Sequence, residues 1–153
     1  MKLRFGLVMG LAVVAGAAAI AEAQTNAAAS ITARQEAMKA NGGAMRALTP
    51  IVRGEQPWNQ ETAVRAAATL VNTAKAVPGV FPQGSGPEAG KTDALPTIWQ
   101  NWADFQNKSK VFEAEAAKLL QLAKAGDEAG FKAQFPNVGR TCGGCHENYR
   151  VKK

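Results

Sequence analysis

Apolar residues recur along this chain at helical spacing, and no stretch alternates as a strand would. From about Ala27 to Leu48, Ile31, Met38 and Met45 recur at seven, and Leu48 continues the stripe. Pro50 is expected to close this first helix, since proline has no N–H to give and crowds the preceding turn. A loop from Arg53 to Trp58 leads to a second helix, with Asn59 as its N-cap and Glu61 in its first turn. Its buried face reads as Val64, Ala67, Ala68, Val71 and Ala74, and Pro78-Gly79 ends it. A third helix is predicted from about Pro96 to Ala125, with proline tolerated in the first turn. Ile98, Trp102, Phe105, Phe112, Ala116 and Leu119 share its face. Gly126 then stops that helix and Asp127 starts a fourth. The fourth carries Phe131, Phe135, Val138, Cys142, Cys145 and Tyr149 on one stripe, so both cysteines face the core. Pro136 falls inside it, and a kink or break is expected near Phe135.

The segment from Pro78 to Pro96 is the longest irregular stretch, rich in proline and glycine. It reads as a crossover whose first part, around Phe81, folds back on the core. Four amphipathic helices with short first and last connections predict an all-α antiparallel four-helix bundle. Cofactor sites in such bundles lie between facing helices.

Residues 1–23 read as a cleaved signal peptide. Lys2 and Arg4 precede an apolar run from Phe5 to Ile20, and Ala21-Glu22-Ala23 makes a cleavage site. The run is shorter than the ~20 apolar residues of a membrane span, so no stable anchor is expected. Export would place the mature chain, residues 24–153, in a bacterial periplasm. That length suits one domain. Without Lys2, Arg4 and Glu22 it has 16 basic and 11 acidic side chains, a net +5. An excess this small does not point to nucleic acid.

The chemistry is concentrated in Cys142-Gly143-Gly144-Cys145-His146, which holds both cysteines and the one histidine of the chain. This is the C-x-x-C-H attachment sequence of a c-type haem. On a helix, positions i, i+3 and i+4 share a face. The two thiols can therefore add across one porphyrin edge while His146 supplies the proximal iron ligand. A structural zinc site wants four ligands where this motif has three. A thioredoxin-like pair wants a βαβ context. A plain disulfide is open to an exported chain. With its histidine committed, the chain shows no hydrolytic or transferase site. One haem c per chain is expected, as part of the core as well as its redox group.

The mature chain resembles the cytochrome c′ family, the class II cytochromes c, over nearly all of residues 30–153. Cytochrome c′ is itself a standard example of the up-down bundle. The likeness rests on the C-terminal motif followed by Glu147-Asn148-Tyr149-Arg150, and on Arg34-Gln35-x-x-Met38 in the first helix. Thr49-Pro50, Gly54, Phe81-Pro82 and Pro96-x-Ile98-Trp99 extend it. The resemblance implies a haem-containing bundle, often a homodimer. It implies that Arg34 and Gln35 lie near the haem propionates, that Phe81 approaches the distal face, and that Trp99 packs close to the pocket. Arg150 matches the basic residue one turn past the proximal histidine.

The function turns on the position opposite His146. Met38 matches the family's distal position, and Met38-Lys39-x-Asn41-Gly42-x-x-Met45 resembles its low-spin His/Met members. If the Met38 sulfur binds iron, the open site is filled and electron transfer is favoured. If Met38 only packs over the iron, the site can bind nitric oxide or carbon monoxide. The sequence reading puts first an exported, non-enzymatic electron carrier serving redox partner proteins, with gas binding second. The mild positive charge would steer encounters with an acidic partner. A periplasmic thiol oxidoreductase is a third class, and it predicts reactive thiols and no haem.

Overall fold

The computed structural model describes residues 11–152, with side chains from Asn26 onward. Residues 1–10 of the expected leader lie outside the described residues. Five α-helices follow in order: α1 Leu11–Val52, α2 Gln60–Ala76, α3 Thr97–Gln100, α4 Trp102–Ala125 and α5 Glu128–Tyr149. The crossover between α2 and α3 holds short 3₁₀ turns at Val77–Val80 and Pro87–Ala89. Among the described residues there is one isolated β-bridge and no helix long and apolar enough to cross a membrane.

Helix α1 begins well before Ala27, through alanine-rich sequence of high helix propensity. It also runs past Pro50, against expectation. Pro50 sits in the last turn, where it forfeits a single hydrogen bond, and its carbonyl accepts the N–H groups of Glu55 and Gln56 at 2.9 and 3.1 Å. Gly54 at φ 74° marks the actual reversal, in the left-handed region that favours glycine. Helix α2 starts as predicted, with Asn59 Oδ1 accepting the Thr62 N–H at 2.8 Å. Its buried face is Ala63, Ala66, Ala67, Leu70, Val71 and Ala74, so Val64 and Ala68 are only half-buried. A face made mostly of alanine carries little contrast to fix its direction.

The predicted third helix is two. Asn101, at φ −121° and ψ 46°, separates α3 from α4. Its backbone N–H and side-chain amide both donate to the Thr97 carbonyl, at 3.0 and 3.3 Å. This is the local competition with helix geometry that asparagine brings. In contrast, α5 is unbroken through Pro136, which is exposed. Water there can meet the carbonyl that proline leaves free. Between α4 and α5, Gly126 is left-handed at φ 69° and Asp127 Oδ1 accepts the Gly130 N–H at 2.8 Å. Asp127→Ala should cost about 1 kcal/mol. Urea unfolding would show this as a lower midpoint, and an unchanged midpoint would mean that the cap is idle.

Helix α1 packs on α2, α2 on α4 and α4 on α5, while α1 and α5 make no contact of comparable extent. The bundle thus has three closed seams and one open one. A main apolar cluster includes Leu48, Leu70, Phe112, Leu119, Phe131 and Val138. A second, at the crossover end, is built from Val77, Phe81, Ala94, Ile98, Phe105 and Tyr149. The crossover is fastened at both sides. Leu95 N–H donates to Tyr149 O at 3.0 Å and Val151 N–H to Asp93 O at 2.9 Å, making the bridge of Ala94 to Arg150.

Candidate functional site

The second half of α5 departs from an ordinary core helix. Phe131, Gln134 and Val138 are buried, but Cys142 and Cys145, the next positions on the stripe, are half-buried. Cys142 packs on the main cluster and Cys145 on the crossover cluster. Burial raises both thiols, Cys145 to about 11 with nearby Lys108 opposing the shift. High thiol pKa values argue against a thiol oxidoreductase, whose nucleophile needs a lowered one. His146 is half-buried. Burial, then the charge of Arg150, lowers its pKa, so the imidazole is neutral at pH 7 and free to ligate a metal.

Across the open seam stands α1. Met38 is half-buried and joins the same aromatic cluster as Cys145, with Phe81, Trp99, Trp102 and Phe105. Phe81 is buried, with ring centroids 4.9 Å from Phe105 and 6.4 Å from Trp99. Trp99 Nε1–H donates to the carbonyls of Phe81 and Pro82 at 3.1 and 2.9 Å. These bonds set the indole against the folded-back part of the crossover.

Arg34, one turn before Met38, is only 3% exposed. Nη1 donates to Ser85 Oγ at 3.1 Å, and Nη2 to Ser85 O at 2.5 Å and Thr92 Oγ1 at 3.0 Å. The guanidinium carbon lies 4.9 Å from the Phe81 ring centroid and 5.7 Å from that of Trp99. Burial lowers its pKa and Glu88 partly restores it. Among the described residues, Arg34 Nε is the one buried side-chain nitrogen or oxygen without a partner. Gln35 is exposed, and its Nε2–H donates to Lys91 O at 3.1 Å. Arg150 is exposed at the end of α5 and its N–H donates to His146 O at 3.1 Å.

Sequence reasoning missed three residues here. Ser85 is fully buried and receives Arg34. Asn41 is buried beside Met38. Tyr149, read only as a core residue, donates its hydroxyl to Asp104 Oδ2 at 2.6 Å, and burial raises its pKa to about 12. The one available signal was Asn41 itself, a poor helix former inside a helix and three residues from the methionine.

A haem c fits these residues. An open seam lies between α1 and α5, bordered by two half-buried thiols and a neutral imidazole on one helix and a thioether on the other. A buried guanidinium also keeps one N–H unmet, as an anionic propionate would require. The separate groove of about 630 Å³ outside α4 and α5 has charged walls, including Lys108, Glu115, Lys118 and Arg140. It is less suited to an apolar macrocycle.

Bundle and motif together define a helical c-type haem protein. The family profile described as Cytochrome C′ matches residues 29–150. A cytochrome c-556 of Agrobacterium tumefaciens (strain II Chrys) is 43% identical over 127 residues, covering 82% of this chain and 100% of that protein. A cytochrome c′ of Pararhodospirillum photometricum is 40% identical, covering 76% of this chain and 92% of that one. Among solved structures, the nitric oxide complex of a mutant cytochrome c prime from Alcaligenes xylosoxidans matches with a TM-score of 0.75 at 29% identity. The match covers 83% of this chain and 97% of that one. This chain belongs to the cytochrome c′ family and carries one covalently bound haem c.

Proposed function

We propose that this protein binds nitric oxide or carbon monoxide at the distal face of its haem, the face that Met38 covers. Cys142 and Cys145 hold the haem through thioether bonds, and His146 gives the proximal nitrogen. The haem supplies an iron that changes oxidation state and takes diatomic ligands. Met38, Phe81 and Trp99 wall the distal side and limit access, while Arg34 offers its free Nε–H to a propionate. The chain works after export to the periplasm and is not an enzyme. The observation that carries this reading is the nitric oxide complex of a relative with this fold.

Electron transfer, which the sequence reading puts first, becomes the second reading. The place of Met38 favours it, since a thioether in the cluster that holds Cys145 is positioned to fill the sixth site. In that case the haem is low-spin, with a raised reduction potential, and serves redox partner proteins.

The spectrum of the purified holoprotein decides. Gas binding predicts a high-spin oxidised form and ready uptake of carbon monoxide on reduction. Met38→Ala should then tighten carbon monoxide binding about threefold or more, by uncovering the iron. A low-spin oxidised form with a methionine–iron charge-transfer band, abolished by Met38→Ala, would overturn the proposal in favour of electron transfer.

A further inference from the structure

The sulfur of Met38 already has a partner within the protein. Asn41 lies three residues on, on the same helix, and is buried. Its Nδ2 approaches the Met38 Sδ to 4.0 Å. Its Oδ1 accepts the hydroxyl of Thr73 on α2. The Thr73 hydroxyl is itself fixed, with the carbonyls of Thr69 and Leu70 each 3.0 Å away. The amide of Asn41 is therefore anchored on its oxygen side to α2, which turns its N–H groups toward the thioether. A methionine sulfur is a weak acceptor, and packing alone does not require a buried amide beside it.

We propose that Asn41 is a positioning residue that competes with the iron for the Met38 sulfur. The proposal rests on the reading that Met38 covers the distal face. An N–H bonded to the thioether draws electron density from it and holds it toward α2. Both effects weaken the sulfur as an iron ligand and leave the sixth site more open to a small gas. Thr73 sets the strength of the effect by fixing the amide.

The test uses the matured, haem-loaded protein. Carbon monoxide is titrated into the reduced form, and the spin state is read from the oxidised absorption spectrum. Asn41→Leu keeps the volume and removes the donor. The Thr73 hydroxyl retains its two carbonyl partners, so no buried donor is orphaned. Carbon monoxide affinity should fall by about two- to tenfold, the range expected for one modest hydrogen bond, and the low-spin fraction should rise. Thr73→Val should shift both in the same direction by less, and it decides the matter should Asn41→Leu not fold. In a Met38→Ala background, Asn41→Leu should change neither quantity, since the coupling requires the sulfur.

Unchanged or tighter carbon monoxide binding in Asn41→Leu would overturn the proposal. So would an equal effect of Asn41→Leu with and without Met38. If Met38→Ala alone alters binding and spectrum while both neighbouring variants are silent, Met38 keeps its distal role and only the part given to Asn41 fails. If Met38→Ala itself changes nothing, the distal reading falls and the proposal goes with it.

Discussion

Replacing Cys142 and Cys145 together by alanine should remove all covalently held haem and melt much of the bundle. The two thiols occupy stripe positions of α5 that the protein alone leaves half-buried, facing a seam that α1 does not close. A porphyrin tethered there would complete the core. Without it, the aromatic cluster around Phe81 and Phe105 borders space that rigid helices cannot collapse to fill. The expected loss is on the order of 5 kcal/mol, or ~15 °C in Tm for a domain of this size. A haem stain after denaturing electrophoresis reads the first effect, and far-UV circular dichroism on heating reads the second. A persisting stain would show that the thiols are not the attachment points. A Tm within a few degrees of the parent would show that haem is no part of the core.

Arg34→Ala should be the most damaging single change outside the attachment motif, at about 3 kcal/mol. The substitution removes the donors met by the Ser85 carbonyl and hydroxyl and by the Thr92 hydroxyl, with Ser85 fully buried. Buried acceptors that lose a charged donor cost more than the net worth of the bonds. The Phe81 and Trp99 rings also lose the cation between them. Arg34→Lys should rescue little, because one ammonium cannot reach both crossover residues while lying flat on the rings. Urea unfolding measures the loss, and amide hydrogen exchange across residues 82–92 should quicken as the crossover loosens. Parent-like stability in Arg34→Lys would refute this account.

The four-helix architecture was legible because apolar spacing and end signals agreed. Asn59, Gly126 and Asp127 each do at a helix end what their chemistry suggests. Proline proved a poor guide. Pro50 and Pro136 both lie within helices, since a last turn or a solvent-facing position loses little by a missing N–H. The break at Asn101 was hidden because the apolar stripe runs straight through it. At the site, attachment sequence and Met38 stood out as residue types with few alternative uses. Ser85, Thr92 and Asn41 did not, because their roles come from contacts across 32 to 58 residues of sequence. No local pattern records such pairings.

The pairing of Ala94 with Arg150 sets an order on how the molecule comes together. Residues 150 and 151 are among the last to leave the ribosome and the last to follow through a secretion channel. The crossover therefore stays unlatched from α5 until the chain is essentially complete. The cysteines and histidine, just upstream, emerge into that interval. Maturation enzymes would meet them on a tail not yet fastened, and the final few residues then act as the clasp that shuts the work in.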